Sequence, residues 1–115
     1  MKTEDAFASK LNVGDVIFAR KCTTQWPIVF GVVKSISDEG KHICLERGYK
    51  PQLITVAGQQ LPTLVERRDL DSFYLSDLRE LYSGTQEVAR CFRELDPRYE
   101  PYAAALEKST RLTDR

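Results

Sequence analysis

Aromatic residues beside predicted strand ends are the side chains of this sequence best suited to bind a ligand. Trp26, the only tryptophan, stands in "TTQWPIVF" between a polar loop and an apolar run, Tyr49 stands in "GYKP", and Phe18 lies in "VIFARK". Aromatic ring faces attract cations within about 6 Å and also stack on nucleobases. We therefore predict Trp26, Tyr49 and Phe18 as ligand-binding residues. The alternative is that Trp26 covers the core and Tyr49 lies on the surface.

Basic residues flank these aromatic positions. Arg20, Lys21 and Lys50 are the predicted contacts to nucleic acid. The chain as a whole has 17 basic and 17 acidic residues, so its formal net charge is zero. Strong nonspecific binding to nucleic acid usually needs an excess of positive charge, so these three residues would have to form a local patch.

Metal binding and catalysis have little support in the sequence. The only histidine, His42, lies two residues from Cys44, and two ligands do not make a zinc site. The three cysteines are widely spaced, which argues against a disulfide framework and favours a reducing compartment. No nucleophile, phosphate-loop or dinucleotide motif is present. We expect a binding protein without a cofactor rather than an enzyme.

The first half of the chain predicts short strands that would carry these residues. Alternating and β-branched apolar residues indicate strands over residues 15–21, 27–36, 42–47, 52–56 and 61–66. Gly31 predicts a bend within the second strand, and Gly40 predicts a positive φ in the turn over residues 37–41. Five short strands with tight turns suggest a small barrel, SH3-like or OB-like.

The second half predicts helices. Leu75, Leu78, Leu81 and Tyr82 have helical spacing, which predicts a short helix over residues 77–82. Thr85 is a candidate cap for the next helix, and Asp96 followed by Pro97 predicts the start of the last helix, which would run to about residue 111. The predicted fold class is α+β, a five-stranded SH3-like antiparallel barrel followed by a helical segment. It forms a single domain over residues 1–115, with the barrel at 11–66 and the helical cap at 72–112.

Two stretches carry a family resemblance. "GDVIFARK" resembles the first strand of PWWP domains, and "QWPIV" resembles the second half of the P-W-W-P signature. The resemblance, which extends to Tudor-like barrels, implies a barrel followed by a helical bundle and a chromatin reader. Such a reader holds a methylated lysine of a histone tail in an aromatic cage and contacts DNA through basic residues. It implies that Trp26 is a cage wall, that Phe18 is mostly structural, and that Arg20 and Lys21 form the basic end of the first strand.

Two other interpretations stay open. The chain also resembles PemK/MazF-type toxins, small barrels that cleave RNA, although Trp26 occupies the place of their arginine. The second of these interpretations is a structural or dimerising protein without a ligand pocket. The N-terminal "MKTEDAFASK" has no apolar segment typical of a signal peptide, so we expect an intracellular protein, nuclear or cytoplasmic, with no membrane partner. The sequence leaves the oligomeric state open.

Overall fold

The computed structural model describes residues 11–22 and 28–113, the last five of these by their backbone alone. Trp26 and Pro27 lie outside the described residues. The strands within these ranges are β1 (Val16–Lys21), β2 (Ile28–Ser37), β3 (His42–Leu45), β4 (Tyr49–Val56), β5 (Gln59–Glu66), β6 (Ser72–Tyr74) and β7 (Leu78–Ser83). The helices are α1 (Thr85–Leu95) and α2 (Glu100–Thr113).

The strands form an antiparallel sheet in the order β5-β4-β2-β1-β7, with β3 paired to β2 and β6 paired to β3. Both β3 and β4 pair with β2, one after the other along the same edge. They lie end to end like one strand with a break, and we call each such line of strands across the sheet an arm. β5 and β6 form a second broken arm, so the seven strands make five arms. The α+β class is confirmed. The prediction of a closed barrel is corrected, because β5 and β7 do not pair with each other in the described structure.

The centre of the sheet is buried on both faces. Successive strand residues point to opposite sides, so Ile17 and Ala19 lie in one core and Val16 and Phe18 lie in a second. The first core fills one side of the sheet, with Val29, Val33, Ile43 and Leu45 among its members. The second core joins the outer face of the sheet to α1 and α2. This arrangement explains why the first four residues of β1 are all buried.

Gly40, in the turn after β2, has the predicted conformation, whereas Gly31, within β2, has a different role from the one predicted. Gly40 has a φ of 86°, and Asp38 and Glu39 before it are also left-handed, which closes the hairpin. The register shift in β2 lies between Val33 and Ser35 rather than at Gly31. Gly31 is instead a point of close approach, because a Cβ there would lie 2.5 Å from the Arg47 carbonyl oxygen.

The predicted helix over residues 77–82 is wrong. Leu75–Asp77 forms one 3₁₀ turn, and the chain then runs as the strand β7 against β1. Ala19 pairs with Leu81 and Lys21 pairs with Leu78, so one extra residue, Arg79, makes a bulge in β7. The bulge turns Leu78 and Leu81 to the same core although they are three residues apart.

The two helices begin near the predicted positions. The N-cap of α1 is Gly84 rather than Thr85, with no side-chain hydrogen bond at the cap. Asp96 acts as predicted, because its side chain accepts a hydrogen bond from the Arg98 amide at the start of the turn before α2. In the part of the chain that the structure describes, neither helix has the length and apolar character needed to span a membrane.

Candidate ligand-binding cleft

An aromatic row crosses the outer face of the sheet. Tyr82 of β7 pairs with Phe18 of β1, Phe18 pairs with Phe30 of β2, and Phe30 pairs with Tyr49 of β4. Directly paired residues on neighbouring strands point to the same face. Phe92 of α1 covers the middle of the row, with its ring centroid 5.4 Å from that of Phe18 and 5.1 Å from that of Phe30. The ends of the row, Tyr82 and Tyr49, are only half-buried.

Phe18 lies in the closed middle of this row. Its side chain is fully buried and meets Phe92 edge to face, with an interplanar angle of 81°. The Arg20 guanidinium carbon stands 5.8 Å from the centre of the Phe18 ring. The structure therefore gives Phe18 a packing role in the second core. The predicted pairing of Trp26 with Tyr49 stays a prediction, because Trp26 lies outside the described residues.

The Tyr49 end of the row lines an open cleft. The rings of Phe30 and Tyr49 are tilted by 47° with their centroids 6.3 Å apart. Beside them is a cleft of about 320 Å³, which we call the Tyr49 cleft. This is near the lower limit of roughly 300–1,000 Å³ for small-ligand pockets. The cleft is lined by Phe30, Gly31, Val32, Glu46, Arg47 and Tyr49.

The charged side chains that line the Tyr49 cleft are one acid, Glu46, and one base, Arg47. A hydrogen bond with the Tyr49 side chain, and then the attraction of the Glu66 carboxylate, raise the pKa of the Arg47 guanidinium. Glu46 is a smaller contributor to the same shift. The Arg47 guanidinium is therefore hydrogen-bonded to Tyr49 and attracted by two carboxylates, Glu66 and Glu46. This environment suits a cationic ligand group better than a phosphate.

The break between β3 and β4 positions the cleft residues. The Gly48 amide donates a hydrogen bond of 2.7 Å to Asp71 Oδ1, and its carbonyl accepts one of 2.9 Å from the Arg67 amide. A Cβ at Gly48 would overlap the Leu70 carbonyl. This close packing fixes Arg47 and Tyr49 on either side of the break. The sequence located the break through "GYKP", but it did not single out Phe30, which is one aromatic residue in an apolar strand.

The predicted basic residues do not gather around the cleft. Arg20 pairs with Glu80 at 3.0 Å. Lys21 lies near Asp69, whose carboxyl pKa is lowered first by a hydrogen bond from Arg67 and to a lesser extent by Lys21. Lys50 follows Tyr49 in β4 and so points to the opposite face of the sheet. The three side chains thus lie in different surroundings rather than in one patch beside Tyr49.

His42 and Cys44 are neighbours on β3, as their spacing predicted. Cys44 Sγ lies 3.9 Å from His42 Nδ1, and Ser37 Oγ lies 3.4 Å from the same nitrogen. The His42 ring also lies against Tyr74, with centroids 4.5 Å apart. Among residues 11–22 and 28–108, whose side chains are described, no three His, Cys, Asp or Glu side chains form a group that could hold a metal.

Comparisons with protein families, with curated proteins and with solved structures found no match to this chain. The ligand must therefore be argued from the chemistry of the Tyr49 cleft. Phe30 and Tyr49 supply two aromatic side chains, and Glu46 supplies an exposed carboxylate at the same place. Such a set can hold an organic cation through the ring faces and balance its charge.

Proposed function

We propose that this protein is a non-enzymatic binding module that recognises a peptide through a cationic side chain, with methylated lysine as the favoured one. The observation that carries the proposal is the Phe30–Tyr49 pair lining an open cleft. A methylated ammonium group is a cation with apolar methyl groups, so it gains both from ring faces and from leaving water. Trp26 is proposed as a further wall of the same site.

The proposal also takes up the resemblance to PWWP and Tudor readers. We infer that the sheet is an open form of an SH3-like barrel, supported by its five antiparallel arms and by the break between β3 and β4. The second core supports the expected helical layer on the barrel. In this interpretation, Tyr49 stands at the rim, where the broken arm turns from β2 towards β5.

A peptide is favoured over nucleic acid on electrostatic grounds. Phosphate binding requires unpaired positive charge at the surface. At the cleft the only basic residue among the lining residues, Arg47, lies near Glu46 and Glu66. Arg20 is paired with Glu80, and Lys50 points to the face opposite Tyr49. The exposed Glu46 carboxylate at the cleft attracts ammonium groups and repels phosphates.

Calorimetric titration with short peptides tests the proposal. The probes are one peptide carrying trimethyl-lysine, the same peptide with unmodified lysine, and a short DNA duplex. We expect the trimethylated peptide to bind at least about tenfold more tightly than the unmodified one, because only its methyl groups contact the rings favourably. Binding of the duplex without binding of either peptide would replace this proposal with the nucleic-acid one.

Two matched variants locate the site. Tyr49→Leu keeps an apolar side chain beside Phe30 but removes the aromatic face, so we expect the affinity for the trimethylated peptide to fall about tenfold. Tyr74→Leu changes a tyrosine that is 48% exposed, stands against His42 and is not among the residues lining the cleft. It should leave the affinity unchanged. Equal affinities in both variants would contradict the Tyr49 cleft as the site, provided that their urea midpoints show both folded.

A further inference from the structure

The hairpin of β4 and β5 contains a long uncharged stretch. Residues 51–65, "PQLITVAGQQLPTLV", include no Asp, Glu, Lys, Arg or His. Charged residues make up 30% of the chain, so a stretch of this length at the average frequency would carry four or five. Exposed strand surfaces usually carry charge, which prevents association. We call these residues the neutral hairpin.

One face of the neutral hairpin exposes apolar side chains. Ile54 and Leu61 are direct cross-strand partners, and they are 38% and 42% exposed. Val56, two residues from Ile54 and therefore on the same face, is 48% exposed. These are three of the five large hydrophobic side chains that are exposed among the described residues.

The other face of the hairpin is partly covered. Leu53 and Leu64 pack against the second core, and the Tyr102 hydroxyl donates a hydrogen bond of 3.4 Å to the Pro62 carbonyl. Arg98 of the turn before α2 donates to the Gln60 side chain at 2.8 Å. The helical layer thus protects one side of the hairpin. The Ile54 side continues the face that buries the first core in β2, but the hairpin reaches beyond that core and stays exposed.

We propose that the Ile54 face of the neutral hairpin is covered by the same face of a second copy of this chain. In a two-fold dimer each residue near the axis meets itself or its neighbours, so a charged face repels its own copy. A face without charge has no such repulsion, and its apolar side chains gain by leaving water. This face offers no charge to complement a highly charged partner, whereas a second neutral hairpin is equally uncharged and apolar.

The contact is made by the face of the hairpin rather than by the edge of the sheet. Among the described strands β5 pairs only with β4, which leaves its other edge without a strand. Pro62 lies in β5 and has no N–H to offer a further strand. Edge prolines of this kind block the addition of another strand. Face-to-face packing needs no hydrogen bonds from Pro62, so the edge stays protected while Ile54, Val56 and Leu61 are buried.

The size of the face predicts a weak dimer. The neutral hairpin holds six residues of β4 and seven of β5, which present a face of roughly 20 by 10 Å. That is about 200 Å² for each copy, well below the roughly 800 Å² for each partner in a standard stable interface. The dimer should therefore dissociate on dilution. It is independent of the Tyr49 cleft, because Tyr49 lies on the opposite face of β4 from Ile54.

Sedimentation equilibrium of the full chain tests the proposal over roughly 10 µM to 1 mM. We expect the apparent mass to rise from monomer to dimer with concentration. Leu61→Lys should raise the dissociation constant at least about tenfold, because two-fold symmetry brings two added charges near each other. Thr55→Lys is the matched control, since Thr55 is exposed in the same hairpin but on the other face. It should change the dissociation constant less than about twofold.

The possible outcomes decide between occupants. A monomer at every concentration overturns the proposal, and the Ile54 face would then have to be covered by a different partner. An equal effect of Thr55→Lys and Leu61→Lys also overturns it, since the association would not then depend on the Ile54 face. Pro62→Val separates face from edge: dimerisation that becomes markedly stronger in this variant would show strand addition at β5 instead. Peptide binding at the Tyr49 cleft can succeed or fail without affecting any of these outcomes.

Discussion

The ring of Phe92 lies edge-on to the ring of Phe18, with 5.4 Å between their centroids and 81° between their planes. Phe92 belongs to α1, and Phe18 belongs to the first strand of the sheet. Both side chains are fully buried, and Phe92 also contacts Phe30 on the neighbouring strand. One helical side chain therefore holds the helical layer to two strands that support the Tyr49 cleft.

Replacing Phe92 tests this dependence. Phe92→Ala should lower the free energy of unfolding by about 3–5 kcal/mol, because it removes a buried ring and leaves a cavity between the helix and the sheet. Urea unfolding followed by circular dichroism measures the change. Val13→Ala is the control, since Val13 is 64% exposed, and it should stay within about 0.5 kcal/mol of the unchanged chain. Similar losses in both variants would contradict the second core as described.

Gly48 gives a test of the break that positions Arg47 and Tyr49. A Cβ at Gly48 would overlap the Leu70 carbonyl, so Gly48→Ala should destabilise the protein by more than about 2 kcal/mol. Gly58→Ala is the matched control. Gly58 has a φ of 80° but no atom within 4 Å of an added Cβ, so it should lose only about 1–2 kcal/mol from backbone strain. The reverse order of the two losses in urea unfolding would count against this packing.

Arg93 connects the two helices through two glutamates. Its guanidinium donates to Glu100 at 2.8 Å and to Glu107 at 2.7 Å. These hydrogen bonds lower the pKa of both carboxyls. A carboxyl with a lowered pKa in the folded state stabilises the fold above its unfolded pKa, and this stability is lost as the pH falls through the lowered value. The link should therefore weaken on the acidic side of the ordinary glutamate range.

The matching experiment compares Arg93→Met with the unchanged chain at neutral and acidic pH. On acidification, the urea concentration at the unfolding midpoint should fall further for the unchanged chain than for Arg93→Met. The variant has already lost the link to Glu100 and Glu107 at neutral pH. Arg90→Met is the control, since the ion pairs of Arg90 with Glu87 and Glu94 lie within α1 and do not link the two helices, and exposed pairs of that kind contribute little. Arg90 also lies over the Tyr82 ring at 5.4 Å, a contact that involves no carboxylate. Parallel pH curves for the unchanged chain and Arg93→Met would show that the link does not stabilise the fold.

The cysteines should differ in their reactivity. Burial raises the pKa of the Cys91 thiol to about 11, so only about one thiol in a thousand is ionised at pH 8. Cys22 is exposed. Mass spectrometry after brief treatment with iodoacetamide should find Cys22 modified and Cys91 intact, and unfolding in urea should remove the difference. Rapid modification of Cys91 in the folded protein would contradict its burial in the second core.

The strands and turns with a simple alternating pattern could be predicted from the sequence. β1 and β2 were predicted within a residue or two, as was the hairpin turn at Gly40, because alternation and glycine act locally. The strand β7 was mistaken for a helix for a physical reason. Its bulge at Arg79 lets Leu78 and Leu81 face one core at a spacing of three, which is also the spacing of a helix.

The candidate site was predicted only in part. Tyr49 was chosen because "GYKP" interrupts two apolar runs, and it does line a cleft. Its partner Phe30 was missed, because the pairing of Phe30 with Tyr49 depends on the register between β2 and β4, which are separated along the chain. Phe18 was chosen for its ring, yet its burial follows from a helix more than sixty residues away. Contacts of such long range are not encoded in local patterns.

The burial of β1 on both faces has a consequence for synthesis of the chain. The outer face of β1 is closed by Phe92, and about 74 residues separate it from Phe18. At a translation rate of about 5–20 residues per second, Phe18 waits roughly 4–15 seconds before Phe92 is made. During that interval the outer face of the nascent sheet is apolar and uncovered, because the helix that covers it has not yet been made. The need for chaperones should therefore be greatest before α1 leaves the ribosome, and slower translation of the segment that contains α1 should increase aggregation.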